Sequence, residues 1–459
     1  MRKLIIANRG EIASRVIRAA RELGIRTVAV CSEADAGALH VRTADEHVVI
    51  GPPAAGQSYL DVSAVLAAAA RVGADAVHPG YGFLSERADF AEAVLEAGMT
   101  WVGPSPEAIR LMGNKAQARE TAARAGVPTV PGSDGPGADA AAALESAEQV
   151  GYPVAVKAAA GGGGRGIRVV GDAEELAAAL PVAQAKAAAA FGSSDVYLER
   201  FVPHARHIEV QVFGDGKSFA HLGERECSMQ RRRQKVIEEA GAPGLPDAVR
   251  DAMTSAAVRL AETVEYSGAG TVEFLYDPVR EDFFFIEINT RIQVEHPVTE
   301  LVVGRDLVQE QLRVAAGAPL SFAQEDVVVR GHAIEARLNA ENPDMGFMPS
   351  PGTLAVLRMP GGPFVRIDSG VEAGSQVSPF YDSLLAKVIV WGPTREEAVA
   401  RMRRALDEVE VHGVATTVGF LREVLDVPEF VAGTYHTTFL ETWMARRAAG
   451  AAETAKEQA

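Results

Sequence analysis

Residues 283–300 read FFFIEINTRIQVEHPVTE, and alternate positions through the middle of that run are polar: Glu287, Asn289, Arg291, Gln293 and Glu295. In an extended chain successive side chains point to opposite faces, so these five would share one face. Two carboxylates, two amides and a guanidinium so placed could hold a divalent cation beside an anion. The solvent face of an ordinary antiparallel strand shows the same alternation. The preceding residues weigh against that plainer reading. GTVEFLYDPVREDFFFIEI is a strand, an Asp-Pro turn and a second strand, and a hairpin centred on Arg280 sets Glu273 directly opposite Glu287. Opposed like charges destabilise a strand pair, and at an effective dielectric of about 20 two carboxylates ~4 Å apart repel by about 4 kcal/mol. A cation between them removes the conflict. Two Glu with Asn289 are hard oxygen donors suited to Mg²⁺, which completes its shell with water and substrate phosphate. Arg291 offers a planar fork to a carboxylate-like or bicarbonate-like anion, and Glu295 beside it can act as a base. His296, next to Pro297 at the expected end of the strand, reads as structural.

A second group lies at 154–170, VAVKAAAGGGGRGIRVV, where Gly161, Gly163 and Gly166 spell G-x-G-x-x-G. A dinucleotide fingerprint must open a helix whose N-terminus faces the pyrophosphate. Here the glycines run into IRVV, a β-branched strand, so an NAD-dependent oxidoreductase is not supported. A Walker loop is also absent, because no Gly-Lys-Ser/Thr follows. Strand, glycine loop and strand make a hairpin whose tip can fold over phosphates with bare backbone N–H groups, although a mobile surface hairpin has the same pattern. Lys157 ends the first strand, where it could reach an α- or β-phosphate. Glycine hairpin, lysine and paired carboxylates together suggest ATP with Mg²⁺ and an acid as second substrate.

Positioning such groups requires several α/β layers. KLIIANRG, EIASRVIRAARELG and IRTVAVCS form a βαβ opening, and the pattern recurs to about residue 103, as a doubly wound parallel sheet requires. Residues 105–126 read as a helix, 131–147 as loop then helix, 151–175 and 195–222 as strand-rich. A long helix is expected in LPDAVRDAMTSAAVRLAETVEYSG, strands at 270–277 and 283–289, and β patterns from about 330. The net charge of −16 over 459 residues disfavours nucleic-acid or anionic-membrane partners. Against it stands one basic cluster, MQRRRQK at 229–235, which alone reads as a solvated face. Two cysteines, Cys31 and Cys227, give no disulfide framework or metal-ligand spacing. With no apolar run of about 18 residues and no signal-peptide core, a cytoplasmic protein is expected.

These residues sit in motifs that resemble a known family. IIANRGEIA, HPGYGFLSE, RLMGNK, GGGGRG, ECSMQRR, EFLY, NTRIQVEHPVTE and PSPG are similar to those of the biotin carboxylases of the ATP-grasp superfamily, up to about residue 445. The resemblance implies an N-terminal doubly wound domain over 1–113 and an ATP-grasp domain over 114–329 with a mobile glycine-rich lid at about 131–202. A C-terminal α+β domain over 330–446 and a tail over 447–459 complete the expected layout. It implies that ATP and bicarbonate give carboxyphosphate, whose carboxyl group passes to the ureido nitrogen of biotin. By motif, Lys115 and Lys157 would touch ATP phosphates with Gly163 and Gly164 in the lid. Glu199, Arg200, Phe201 and Val202 would hold adenine, and His207 and Arg233 would lie near the nucleotide. Glu273, Glu287 and Asn289 fall on the metal positions, for Mg²⁺ or Mn²⁺ and usually two ions. Glu273 and Glu287 therefore also belong to the ATP site. Lys235, Arg291, Gln293 and Val294 would hold bicarbonate, Glu295 would deprotonate it, Arg337 would stabilise charge on the biotin ureido oxygen, and Tyr81 would face biotin. Related sequences usually carry His or Asn at Arg233, and Ala160 replaces the first glycine of the usual run. No Met-Lys-Met biotin-attachment turn is present, so the implied partners are a dissociable biotin carboxyl carrier protein and a carboxyltransferase. An acetyl-CoA carboxylase active in fatty acid synthesis is the expected complex, with propionyl-type or pyruvate carboxylases as alternatives, and a homodimer is expected. The rival ATP-grasp ligases would share the lysines and carboxylates but lack Arg337 and the NTRIQVEH run. A non-catalytic nucleotide-binding regulator would have lost Glu295, Arg291 or the Glu pair, and all are present.

Overall fold

A computed structural model describes residues 1–133, 140–158, 168–191 and 196–447. The N-terminal region is a five-stranded parallel sheet of β1 (Lys3–Ile6), β2 (Arg26–Ser32), β3 (Glu46–Gly51), β4 (Ala76–His78) and β5 (Thr100–Trp101) in the order β3-β2-β1-β4-β5. The order reverses beside β1, so the loops after β1 and β4 diverge at the carboxyl ends of the strands and leave a crevice there. Gly80, with φ +63°, makes the turn after β4, where a Cβ would come within 2.8 Å of the Asn8 amide. That amide donates to the carbonyls of Pro79 and Tyr81, both at 2.7 Å, and so fixes Tyr81 at the crevice.

The glycine hairpin's flanks are β6 (Val154–Ala158) and β7 (Arg168–Val170), which pair antiparallel with Val154 opposite Val170; β8 (Val196–Arg200) pairs with β6 on its other side. A strand and not a helix therefore follows the glycines, as the β-branched run requires. The glycine run itself, including Gly163 and Gly164, lies outside the described residues, as does the tail beyond 447.

A larger antiparallel sheet carries the rest: β9 (Arg206–Asp215), β10 (Phe219–Arg231), β11 (Gln234–Ala240), β12 (Ser267–Asp277), β13 (Asp282–Asn289), β14 (His332–Asn339), β15 (Val365–Ser369) and β16 (Leu384–Gly392), ordered β13-β12-β9-β10-β11-β14-β16-β15. Alternation gives this sheet two chemically distinct faces. Ile208, Val210, Val212, Val272, Phe274 and Ile288 pack against Met253, Ala256, Ala257 and Leu260 of the helix Asp247–Thr263. Farther along, Ile334, Ala336, Val388 and Val390 pack against Ala398, Met402 and Leu406 of the helix Arg395–Glu408. The intervening residues His207, Glu209, Gln211, Thr271 and Glu273 point the other way.

Three expectations are corrected. Residues 106–124 form two helices, Pro106–Gly113 and Lys115–Arg124, because Asn114 leaves the helical conformation and its Oδ1 accepts from the N–H groups of Ala116 and Gln117. The run 283–295 is not extended throughout: β13 ends at Asn289, and a helix begins at His296, where Pro297 has the fixed φ that suits a first turn. The hairpin turn occupies 278–281, not a loop centred on Arg280, yet Glu273 is opposite Glu287, because a bulge at Ile286 adds the missing residue. The apolar face under this pair is well filled. Phe274→Ala should cost about 3–5 kcal/mol, read as an earlier first transition in a thermal melt.

Candidate active site

The polar face of the large sheet, the ends of β1 and β4, and residues 377–384 enclose a cleft of about 850 Å³. Lys235, near the start of β11, projects into it. Its Nζ donates to Glu209 Oε2 at 2.6 Å, Glu295 Oε1 at 2.5 Å and Glu273 Oε1 at 3.3 Å. One ammonium thus faces three carboxylates from β9, β12 and the start of the 296–303 helix. Burial opposes its charge, but the surrounding acidic groups outweigh it and raise the Lys235 pKa well above normal.

Glu273 is also bound by Asn289 Nδ2 at 2.8 Å, Gln293 Nε2 at 3.0 Å and His207 Nε2 at 3.1 Å. Burial pushes its carboxyl up, while Lys235 and His207 more than reverse this and hold it far below the usual carboxylate range. Burial would likewise neutralise His207, and Glu273 raises its pKa instead. For Glu295, burial is overcome by Lys235, Arg337 and Arg225, so its pKa lies well below normal. Arg337 reaches it from β14 with Nη2 at 3.0 Å, while Nε donates to Glu238 Oε1 at 2.6 Å.

Beneath this layer lies Arg225, fully buried on β10. It donates to Glu209 Oε1 at 2.6 Å, Gln211 Oε1 at 2.7 Å, Gln293 Oε1 at 2.6 Å, Thr299 Oγ1 at 3.0 Å and Thr271 Oγ1 at 3.1 Å. A guanidinium buried without such partners would be costly. The five contacts therefore tie β9, β10, β12, the 290–295 loop and the following helix into one arrangement. The loop is held again at Val294, whose carbonyl accepts from Lys387 Nζ of β16 at 2.8 Å. His296 is structural, as expected: it is buried, and its Nδ1 lies 2.7 Å from the Gln293 carbonyl oxygen.

The metal candidates fit a cation by one observation. Glu287 faces Glu273 across the hairpin and takes no hydrogen bond or ion pair among the described residues. Burial and then the charge of Glu273 raise its pKa. Asn289 turns Nδ2 to Glu273 and Oδ1 to Arg291 Nη2 at 2.9 Å; rotating the amide would offer oxygen instead. The tighter group of His207, Glu209 and Glu273 is a poorer metal site, because Lys235 already supplies a cation to it.

Of the other expected site residues, Arg291, Arg233 and Tyr81 line the same cleft, whereas Lys115, Lys157 and the 199–202 segment lie outside its lining. Arg291 lines the cleft but pairs with Glu86, Nε to Oε2 at 3.0 Å. Arg233 is exposed at the tip between β10 and β11. Lys115, at the start of its helix, is exposed and near enough to Glu287 to oppose its raised pKa. Lys157 donates to Glu199, which also accepts from Arg119 at 2.6 Å, so the lysine is held by a carboxylate in this structure. Arg200 donates to the Val150 carbonyl, and Phe201 and Val202 follow it at the end of β8. Tyr81 lines the cleft with its hydroxyl donated to Glu11. Sequence reasoning missed Glu209, Arg225, Glu238, Glu11 and Lys387. The first had a legible signal, since His207, Glu209 and Gln211 alternate with Ile208, Val210 and Val212. Lys387 had a weaker one, a lone lysine in the apolar run LLAKVIVWG.

Three family models match in succession: the biotin carboxylase N-terminal domain at 1–109, the carbamoyl-phosphate synthase L chain ATP-binding domain at 114–323, and the biotin carboxylase C-terminal domain at 335–442. Biotin carboxylase 1 of Bacillus subtilis is 53% identical over 444 residues, which cover 96% of this chain and 99% of that protein. The chain belongs to the biotin carboxylase family. It is an ATP-grasp ligase, and its reaction is the ATP-dependent carboxylation of biotin. A pyruvate carboxylase component of Methanothermobacter thermautotrophicus is 50% identical, covering 96% of this chain and 90% of its own. Among solved structures, the biotin carboxylase domain dimer of Hydrogenobacter thermophilus 2-oxoglutarate carboxylase, in complex with MgADP, ADP and bicarbonate, is similar with a TM-score of 0.85. It is 47% identical and covers 96% of this chain and 97% of that one. The family fold thus carries the expected α/β organisation, with its parallel sheet at the N-terminus. No helix among the described residues is long and apolar enough to cross a membrane.

The depressed pKa values have a consequence in acid. Glu273 and Glu295 have folded pKa values below the unfolded ~4.3, so their stabilisation is complete above about pH 4.3 and is lost as pH falls through the folded values. Removing Lys235 raises those folded values. Lys235→Met should therefore unfold at a higher pH than the parent when acid titration is followed by circular dichroism.

Proposed function

We propose that this ligase carboxylates biotin carried on a separate biotin carboxyl carrier protein, as the first half-reaction of an acyl-CoA carboxylase. The carrying observation is Glu295, buried and held ionised between Lys235 and Arg337. Lys235, Arg291, Gln293 and the backbone of Val294 receive bicarbonate. An anion sharing Lys235 competes with the carboxylates already there and loosens the hold of Lys235 on Glu295, which increases the basicity of Glu295 beside the proton it must take. The bicarbonate oxygen so freed attacks the γ-phosphorus of ATP, giving carboxyphosphate and ADP. Lys115 and Lys157 bind phosphates, with Lys157 leaving Glu199, and the adenine lies near Glu199–Val202. Glu273, Glu287 and Asn289 would hold Mg²⁺, which supplies charge neutralisation of the phosphates. The carboxyl group then bonds to the ureido nitrogen of biotin beside Tyr81 as its bond to phosphate breaks, the released phosphate takes the nitrogen's proton, and Arg337 meets the negative charge that develops on the ureido oxygen.

A carboxyltransferase then takes the carboxyl group to an acyl-CoA. We favour acetyl-CoA, hence fatty acid synthesis, although the similar proteins include pyruvate and 2-oxoglutarate carboxylase components. A homodimer is consistent with the dimer seen for the Hydrogenobacter domain. A reducing compartment such as the cytoplasm is consistent with two buried, free cysteines.

Glu295→Gln should suppress bicarbonate-dependent ATP cleavage while nucleotide binding, measured by titration calorimetry, persists. Loss of nucleotide binding in that variant would show that Glu295 has a different role. Arg337→Ala should lower the rate of biotin carboxylation by about 10²–10³-fold, and an unchanged rate would remove Arg337 from the reaction.

A further inference from the structure

Two carboxylates behind Arg337 are not used by this mechanism. Glu238 on β11 and Glu335 on β14 are register partners on adjacent antiparallel strands, and both are fully buried. Opposed side chains on such strands lie with Cβ atoms about 4.5–5.5 Å apart. Glu238 Oε1 accepts from Arg337, but Glu238 Oε2 and both oxygens of Glu335 have no hydrogen-bond donor. The nearby cations are committed elsewhere. Lys387 lies opposite Arg337 on β16, and its Nζ is held by Glu11 at 3.1 Å and by the Val294 carbonyl at 2.8 Å. Lys235 serves Glu209, Glu273 and Glu295. Arg366, on β15, pairs with Asp368 and Glu300. Two ionised carboxylates side by side, with three orphaned oxygens, would be costly in such an interior.

We infer that Glu238 and Glu335 hold one proton between them, and that this proton sets the net charge surrounding Arg337. A carboxyl O–H on Glu335 supplies the missing donor, with Glu238 Oε2 as its natural acceptor. Burial pushes Glu335 well above the carboxylate range against the pull of Lys387, and it raises Glu238 to about 7 against Arg337. The two titrate as a pair. The charged and titratable groups around them are Cys227 on β10, Lys235 on β11, Arg337 on β14, Glu295 and His296 on the loop and helix, Lys387 on β16, Arg366 and Asp368 on β15, and Glu11 on the first helix, Gly10–Glu22. If the proton left, Arg337 would face Glu295, Glu238 and an ionised Glu335 together, and its power to stabilise a developing oxyanion would fall. Glu238 and Glu335 are thus positioning residues. The effect on rate rests on the role of Arg337 proposed above, whereas the shared proton does not.

Infrared spectra of the full chain test the proton, and pH–rate profiles of biotin carboxylation test its effect. A protonated-carboxyl carbonyl stretch should be present at neutral pH, weakened or moved in Glu335→Gln, and lost reversibly in alkali. The alkaline fall in biotin carboxylation should move to higher pH in that variant, because its side chain has no proton to lose. Absence of a band sensitive to residue 335 overturns the shared proton. Coincident alkaline limbs in variant and parent overturn its effect on Arg337. If Glu335→Gln does not fold, Glu335→Asp should shift the band, and an unmoved band assigns it elsewhere and overturns the inference. A parent chain that shows the band but no biotin carboxylation would instead remove the functional reading and leave the proton in place.

Discussion

The ammonium of Lys235 among the carboxylates of Glu209, Glu273 and Glu295 is the contact on which the site depends. These groups would repel one another without it, and breaking a buried pair by removing one partner costs about 3–5 kcal/mol. Arg225 underneath neutralises the far oxygen of Glu209 and fixes Gln293, so the cluster has a floor as well as a centre. The result is a set of acidic groups kept ionised in a buried setting. Such a set can accept a proton from one substrate while its cations hold the anion formed.

The sheet makes this possible by separating apolar from polar along every strand. Phe274 and Val272 face the 247–263 helix, while Glu273 and Thr271 face the cleft. The loop at 290–295 has no ladder of its own, and side chains from distant parts of the chain hold it in place. Arg225 grips Gln293, and Lys387 grips the Val294 carbonyl. Lys387 also binds Glu11, which accepts from Tyr81, so the N-terminal sheet, the loop and β16 meet through one buried chain of contacts. These elements that line the cleft are therefore positioned by residues from one another.

Local pattern made part of this legible in the sequence. The alternation around Glu273 and Glu287 located their pairing, although the turn is earlier than expected and the Ile286 bulge compensates; such a bulge leaves no mark on hydrophobic period. The βαβ opening was legible for the same reason, since periodicity and glycine placement are local. The break at Asn114 was missed because an asparagine cap inside a helical pattern resembles an ordinary polar surface position. The change from strand to loop to helix after Asn289 was also missed, because polar alternation continues across all three. Several partners of Lys235 and Arg225 lie on β12 or between Gln293 and Thr299, 38 to 74 residues away in sequence, and that complementarity becomes visible only once β12 pairs with β9 and the 290–295 loop folds over them. The glycine run at 161–166 lies outside the described residues, so the hairpin flanks carry the structural argument there.

In the proposed function this charge cluster couples ATP cleavage to an acid and then to biotin. The most direct measurement is ATP cleavage by the purified chain with Mg²⁺, with bicarbonate present or removed, and with or without free biotin. Cleavage should require bicarbonate and increase with biotin. Hydrolysis that proceeds equally without bicarbonate and does not respond to biotin would rule that coupling out.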